Sequence, residues 1–508
     1  MSLPNRDNPY NFEEFLEWRN SVDYYADDPF LQNVVRHFTG DRWQQVDAAA
    51  RQLSLKASFR WRDLADQAAR PENRPYVLHY DGHHRRIDRI VRPMETLAME
   101  KAVFAEALFA DRTDAWLRLI KLFLIYQNGE ACIACPLVCT EGLAALLDAF
   151  ADSPETRRIL EHCKEGREGD FAIGAQYLSE IQGGSDIPSN VLEAVREDDV
   201  WKLYGTKFFC SATHADYAVV TAKPAGSETI AVFVVPSWLP GDKAKERRNG
   251  FRIDRIKWKM GTCELTTGEI TFDGSVAYPV GPLERGLANV VGVVLTHSRL
   301  TVGLSGAASM TRAAREAKKY SEFRTAFGRK LHQFPMVAGQ IADLDRNAKR
   351  STCGAFKIYR KFSQLDGKVK VALDPSEPLE SQRKRFDVRQ LVMLQKIVVS
   401  RDAVDQLRMA MSIFGGHGVM EDFSSLPRLY RDAAVNELWE GPHNVLLSQI
   451  HRDLQKVKSW YRPAEFVRNL MAGAESGLVQ ELASQIESLV AHPSLLEKDT
   501  ATMEACRR

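Results

Sequence analysis

Two stretches of this sequence combine residue types that can do chemistry. The first is Gln176-Tyr177-Leu178-Ser179-Glu180-Ile181-Gln182-Gly183-Gly184-Ser185-Asp186. Adjacent glycines let backbone N–H groups approach an anionic or planar ligand, and Ser179 and Ser185 add hydroxyl donors. The segment is not the G-x-G-x-x-G fingerprint, and no strand and helix frame it in the dinucleotide-binding manner. A glycine turn entering a strand would use the same residues. The second stretch holds Cys132, Cys135 and Cys139. A metal or iron–sulfur site could use such spacing. Steps of three and four residues also place the three on one helix face, in apolar surroundings that offer no fourth ligand. We read them as buried cysteines packing as small hydrophobes, and expect no metal site.

Further candidates follow downstream. They are Lys207-Phe208-Phe209-Cys210-Ser211, Lys259-Met260-Gly261, Arg324-Thr325-Ala326-Phe327-Gly328 and Phe414-Gly415-Gly416-His417-Gly418. Arg431-Asp432 then leads to Leu438-Trp439-Glu440-Gly441-Pro442. Taken singly, a Gly-Gly pair reads as a helix end, an Arg-Asp pair as a solvated ion pair and one Glu as surface. His214, His417 and His443 read as hydrogen-bonded supports rather than proton shuttles. The basic run His83, His84, Arg85, Arg86, Arg89 and Arg92 reads as a solvated face interrupted by Asp88.

The elements that must position these residues fall into blocks. Up to about Gly166 the apolar period is helical, as in Met94 to Phe109 and Ala115 to Tyr126. From about Asp170 to Tyr278, short β-branched or aromatic runs separated by turns predict strands at Leu203 to Phe209, Tyr217 to Ala222, Thr229 to Val235 and Glu269 to Phe272. Helices return at Arg299 to Phe323, Phe334 to Phe362, Lys384 to Phe414 and Trp439 to about Val457, with a helical tail after Pro463. The expected fold class is α+β. The expected divisions are 1–168 (helical), 169–283 (β), 284–460 (helical) and 461–508 (tail).

The 508 residues are ample for sizeable cores without disulfide or metal staples. Sixty-eight Lys plus Arg against 67 Asp plus Glu leave a net charge of +1, which excludes a generally cationic protein. Eight cysteines argue against a disulfide framework. The polar, acidic start lacks the features of a secretory signal, and uninterrupted apolar runs such as Val290 to Leu295 are far too short to span a bilayer. A cytoplasmic protein without a membrane span is expected.

In their order and separation these motifs resemble the acyl-CoA dehydrogenase family over essentially residues 1–460, and most closely its alkylation-response branch. Ser179 to Asp186 with Asn190, Leu426-Pro427-Arg428-Leu429-Tyr430-Arg431, and Val435 to Gly441 with Asn444 carry the likeness. The resemblance implies an N-terminal helical domain, a β-barrel-like middle domain and a C-terminal four-helix bundle. It also implies FAD as cofactor and α,β-dehydrogenation of an acyl-CoA thioester. Glu440 matches the family's catalytic base, taking the α-proton while the β-hydride goes to flavin N5. Burial beside Trp439 should raise its pKa, and the Glu440 backbone amide should help stabilise the thioester oxygen.

By the same resemblance Leu178, Ser179, Phe209 and Ser211 contact the flavin ring, and Gly184 and Ser185 lie near the pyrophosphate. Arg324, Phe327, Gly415 and Gly416 reach FAD across a subunit interface, and Asn444 belongs to the cofactor side. Ser185, Arg299, Trp439 and Gly441 are implied on the substrate side. The family's oligomer is most often a dimer of dimers, a homotetramer, and its electrons pass to an electron-transfer flavoprotein or similar acceptor. Departures are Ser298 where some branches carry an acidic base, Pro442 for Thr, Asn444 for Gln, Ala326 for a hydroxyl residue and Ser412 for Gln. Glu440 therefore has no visible competitor. The branch includes a DNA-binding flavoprotein, which would need a basic C-terminal surface. Residues 441–508 hold eight basic and eight acidic residues, so nucleic acid is not expected as a partner. A DNA-associated stress flavoprotein with little dehydrogenase activity is the alternative, and the acyl chain stays open.

Overall fold

The computed structural model describes residues 10–167 and 170–492. The expected boundary at 168/169, the first nine residues and the end of the tail lie outside the described residues. The N-terminal region is built from α1 (Glu13–Ser21), α2 (Pro29–Thr39), α3 (Trp43–Leu55) and α4 (Trp61–Ala68), then a hairpin of β1 (Tyr76–Tyr80) and β2 (Arg86–Val91). It continues with α5 (Met94–Phe104), α6 (Ala115–Tyr126), α7 (Ala134–Phe150) and α8 (Pro154–Glu165). Start signals are clear where caps exist. Asp114 accepts hydrogen bonds from the Trp116 and Leu117 amides, and Ser153 and Thr156 form a reciprocal cap at α8.

The hairpin corrects the reading of this region as helical, while His83, His84, Arg85, Arg86 and Arg89 of the basic run are exposed, a solvated face interrupted by Asp88. Asp88 is buried, accepting from the Ile253 amide at 3.0 Å and the Arg86 guanidinium, and lies 2.7 Å from the His79 ring. Arg89 pairs with Glu246 and Arg92 with Glu100. The cationic run is thus neutralised within the chain and docks against the middle domain.

That domain contains β3 (Gly174–Tyr177), β4 (Glu193–Glu197), β5 (Val200–Cys210), β6 (Tyr217–Pro224), β7 (Ala231–Pro236), β8 (Phe251–Ile256) and β9 (Gly268–Pro279). The pairings β6–β4, β4–β5, β5–β9, β9–β7 and β7–β6 return to their start, so five strands close a barrel. Closure removes exposed edges. Strand β7 is buried at every residue, whereas β8 alternates and lies on β9 outside the closed ring. Strand β3 adds in parallel to β6 and hands the chain directly to the Leu178–Asp186 loop.

The C-terminal region holds α9 (Gly286–Asn289), α10 (Leu295–Phe323), a short hairpin Thr325–Ala326/Arg329–Lys330, α11 (Pro335–Ser363) and α12 (Leu379–Phe414). Then come α13 (Leu426–Asn436) and α14 (His443–Val457), followed by α15 (Pro463–Leu470) and α16 (Ser476–Ala491). Three long helices pack on one another, and two shorter ones, α13 and α14, divide the fourth position. The segment Leu283–Phe323 is long and apolar enough to cross a membrane by length and composition, yet 78% of its apolar window is buried in the protein. It is the central core helix, because Gly303 and Gly306 let α12 approach closely. The helix expected from Trp439 begins instead at His443, and residues 437–442 form a turn.

Candidate active site

Glu440 sits in that turn between α13 and α14, at φ +59°, a left-handed backbone rare for a residue with a side chain. Gly441 follows at φ +101°, where a Cβ would lie 3.0 Å from Leu446. Two buried cations hold the strained turn by its carbonyls. Lys396 from α12 donates to the carbonyls of Glu437 (2.9 Å) and Gly441 (2.8 Å), and Arg299 from α10 donates to that of Glu440 (3.0 Å).

The Glu440 carboxylate accepts from Gln176 Nε2 on β3 at 2.8 Å, and the same amide stands 3.4 Å from Ser298. Burial of the carboxyl pushes its pKa up to about 7, against Arg299, Lys396 and the Gln176 hydrogen bond, which pull it down. Burial also lowers Lys396 to about 8, with Glu440 opposing and Arg299 adding to the fall. The group is therefore poised near neutrality with its charged form already partnered.

Behind Glu440 opens a mainly apolar cavity. Its walls are one face of α7 (Ala134, Cys135, Val138, Cys139), one face of α10 (Thr301, Val302, Ser305, Ser309) and α13 with Trp439. The cysteines are buried and free, with Sγ atoms of Cys135 and Cys139 3.8 Å apart. Cys132 precedes α7, at φ +58°, so the three do not share one helix face as expected. Among the described residues no group of side chains could hold a metal ion.

Beside this cavity the β3–β4 loop and the end of β5 meet. The Phe208 amide donates to the Ser179 carbonyl at 2.9 Å, bringing Leu178 and Ser179 beside Phe209 and Ser211. Buried Glu180 organises the loop, accepting from Lys207 (2.8 Å) and from the Val191 and Leu192 amides. Asn190 and Lys207 both donate to the Leu178 carbonyl. Phe209 is 51% exposed, with Lys257 Nζ 4.5 Å from its ring. A Cβ at Gly184 would overlap Ser179 Oγ. A half-exposed aromatic ring beside hydroxyls and a close-packed glycine loop fits a planar, phosphate-bearing cofactor. Ser185 lies exposed at the loop's outer end.

A second expected group gathers elsewhere. Arg324 caps α10, Gly415 ends α12 at φ +61°, and Arg324, Ala326, Gly415 and Gly416 line one open cleft with His417. Phe327, at the tip of the short hairpin, is 95% exposed. From Arg299 to Arg324 α10 rises about 38 Å at ~1.5 Å per residue, so this cleft stands far from Glu440 in the same chain. Asn444 is exposed in the first turn of α14, close to Glu440 in sequence. The histidines serve as hydrogen-bonded supports: His443 to Ser400, His417 to Tyr320 and His214 to Thr266.

Several site residues carried no role in the sequence. Gln176 stood inside the quoted segment, but nothing marked it as facing a residue 264 positions away. Lys396 reads as an ordinary polar residue of a long helix. Tyr126, Glu130 and Asp432 line the cavity, yet only Asp432 lay in a quoted motif.

Comparison with known proteins agrees with this arrangement. Residues 175–275 match the acyl-CoA dehydrogenase middle domain, and residues 284–455 match its C-terminal domain. Acyl-CoA dehydrogenase family member 11 of Caenorhabditis elegans is 26% identical over 451 residues, 84% of this chain and 70% of that protein. Putative acyl-CoA dehydrogenase AidB of Escherichia coli is 27% identical over 465 residues, 89% of this chain and 81% of that protein. The fold is shared with the apo-form of Bd2924, at TM-score 0.83, 24% identity and coverage of 96% and 94% of the two chains. It is also shared with C. elegans ACDH-11 in complex with C11-CoA, at TM-score 0.76, 23% identity and coverage of 92% and 80%. A closed barrel beside a helical bundle, the strained turn at their junction and the two matching domains converge, and the chain belongs to the acyl-CoA dehydrogenase family of FAD-dependent oxidoreductases.

Proposed function

We propose that this protein oxidises an acyl-CoA thioester between its α and β carbons, with Glu440 as the base for the α-proton. One observation carries the reading: a carboxylate poised near pH 7, held on a strained turn at the mouth of an apolar cavity. The related ACDH-11 structure is a complex with C11-CoA, which supports the substrate class.

Leu178, Ser179, Phe209 and Ser211 would hold the flavin ring of FAD, with Gly184 and Ser185 toward its phosphates. FAD, when bound, supplies the two-electron oxidant. Glu440 takes the proton, and its near-neutral pKa keeps an appreciable fraction ionised while narrowing the gap to the weakly acidic carbon. Gln176 orients the carboxylate, and Arg299 and Lys396 fix the turn. The Glu440 backbone N–H makes no hydrogen bond among the described residues, so it is free to donate to the thioester oxygen as charge develops there. The apolar walls exclude water from the acyl chain. Arg324, Phe327, Gly415 and Gly416, some 38 Å along α10 from this site, would complete the FAD site of a neighbouring copy. That requires a homo-oligomer, which we take to be a dimer of dimers. An electron-transfer flavoprotein or similar acceptor would carry the electrons onward.

Anaerobic mixing of the FAD-loaded protein with a panel of acyl-CoA thioesters tests the reading. Bleaching of the flavin is expected with at least one thioester, and its failure with all of them would overturn the assignment. Sedimentation equilibrium reports the assembly, and a monomer that retains FAD would remove the shared-site proposal.

A further inference from the structure

The same cavity is not apolar to its end. Arg312 on α10 donates to the Gln127 carbonyl at 2.9 Å and fixes the α6–α7 turn at its own level. That level lies about 20 Å along the helix from Arg299, at ~1.5 Å per residue. The turn brings Tyr126 and Glu130 to the cavity wall, where Asp432 from α13 joins them. The Tyr126 hydroxyl is buried and has no hydrogen-bond partner among the described residues. Glu130 is 3% exposed, and among the described residues its carboxyl accepts only the Cys135 amide, at 3.2 to 3.3 Å. Asp432 is occupied by the Glu130 and Thr262 amides.

We propose that the cavity takes an acyl chain bearing a neutral hydroxyl group at its distal end, with Tyr126 and Glu130 as its partners. The inference rests on the thioester reading above and narrows its substrate class. A hydrocarbon end would leave a buried phenol and a buried carboxyl facing methyl groups, a mismatch that a site lined for hydrogen bonding penalises. A carboxylate end is rejected for a different reason. Glu130 and Asp432 line the wall, and Glu264, whose buried carboxyl makes no hydrogen bond among the described residues and lies 3.9 Å from the Arg428 guanidinium, stands close by. The nearby cations are already engaged: Lys259 donates to the Thr262 and Thr267 hydroxyls, and Arg428, hydrogen-bonded to Asp66 and the Asn128 carbonyl, stands 3.9 Å from both Glu264 and Asp432. Burial together with the neighbouring Asp432 raises Glu130 well above the ordinary carboxylate range, so it is a donor as well as an acceptor. A hydroxyl can donate to one of these groups and accept from the other.

The test uses FAD-loaded protein and three thioesters of equal chain length: decanoyl-CoA, ω-hydroxydecanoyl-CoA and ω-carboxynonanoyl-CoA. Dissociation constants come from the perturbation of the flavin spectrum, and rate constants from anaerobic reduction. The ω-hydroxy chain should bind about tenfold tighter than decanoyl-CoA, the worth of roughly one net hydrogen bond, and the carboxylate chain weaker than both. Tyr126→Phe, which removes one oxygen and no volume of consequence, should erase most of the hydroxyl preference. Glu130→Gln should keep that preference and relieve the rejection of the carboxylate. Equal or tighter binding of decanoyl-CoA overturns the proposal while leaving the thioester reading intact. Absence of both binding and reduction with all three overturns the thioester reading, and this inference with it.

Discussion

Glu440 and Glu130 both line one cavity, and burial raises the pKa of both. Their neighbours differ. Around Glu440 the charges are Arg299 and Lys396, with an amide donor on the carboxylate itself. Around Glu130 the acids Asp432 and Glu264 add to the effect of burial, and Lys259 opposes it. Glu440 also rides on a strained, cation-clamped turn, whereas Glu130 accepts an amide at the start of α7. Two desolvated carboxyls with different neighbours thus give a base ready to exchange a proton at Glu440 and a carboxyl that retains it at Glu130. Neighbouring charge divides the two roles.

The sharpest way to break this comparison is to remove the charge at the reactive end. Glu440→Gln should slow flavin reduction by about 10²- to 10⁴-fold, the usual worth of a general base, while the protein stays yellow. Stopped-flow absorbance reads both, and near-normal reduction would transfer the base to another group. A smaller effect is expected from Lys396→Met, which removes a cation and a clamp on the turn. The rate at pH 7 should fall about fivefold, the ionisation lost when a pKa near 7 rises by roughly one unit, and the acid limb of the rate profile should move to higher pH. A fall in rate without movement of the limb would leave Lys396 a purely structural role.

In the unaltered protein the rate should rise with pH through about 7, because the base must be ionised. Gln176→Leu removes a hydrogen bond that favours the ionised form, so it should shift this limb upward by less than Lys396→Met does. The smallest effect concerns stability. Glu130, Glu264 and Glu440 have raised pKa values in the folded chain, so their contribution is complete below the ordinary carboxylate value and is lost as pH rises through and beyond neutrality. Asp66 and Glu100 act oppositely. Despite burial, ion pairs with Arg428 and Arg19 and the nearby charge of Arg312 hold Asp66 at about 2, and His214 and Arg92 hold Glu100 at about 2. Their contribution is lost as pH falls. Thermal unfolding should therefore show its highest midpoint in mildly acidic buffer, and Glu130→Gln should flatten the alkaline decline. An alkaline decline unchanged by that variant would argue that Glu130 is ionised in the native state.

Parts of this were legible in the residues. Apolar period located α6 at Ala115–Tyr126, and β-branched runs located β5, β6, β7 and β9. Strand β8, Phe-Arg-Ile-Asp-Arg-Ile, escaped because an alternating charged strand carries a weaker apolar signal than its barrel neighbours. The β1–β2 hairpin escaped although Asp81-Gly82 is a turn signal, because the dense cations after it read as a solvated surface. Their neutralising acids, Glu246 and Glu100, lie outside the local window.

The order and chemistry of the motifs, from Ser179 to Glu440, were sufficient by themselves to assign the family and with it the α+β arrangement. They also singled out Glu440, because a glutamate before glycine in that series has one family counterpart. Tertiary structure alone decided which way each buried acid leans. A pKa depends on charges and donors within a few ångströms. Those around Glu440 come from β3, α10 and α12, at positions 176, 299 and 396, and no spacing along the chain announces such a meeting. The polar end of the cavity arises in the same way, from a turn folded back at residues 126–130 and locked by Arg312, nearly two hundred positions later.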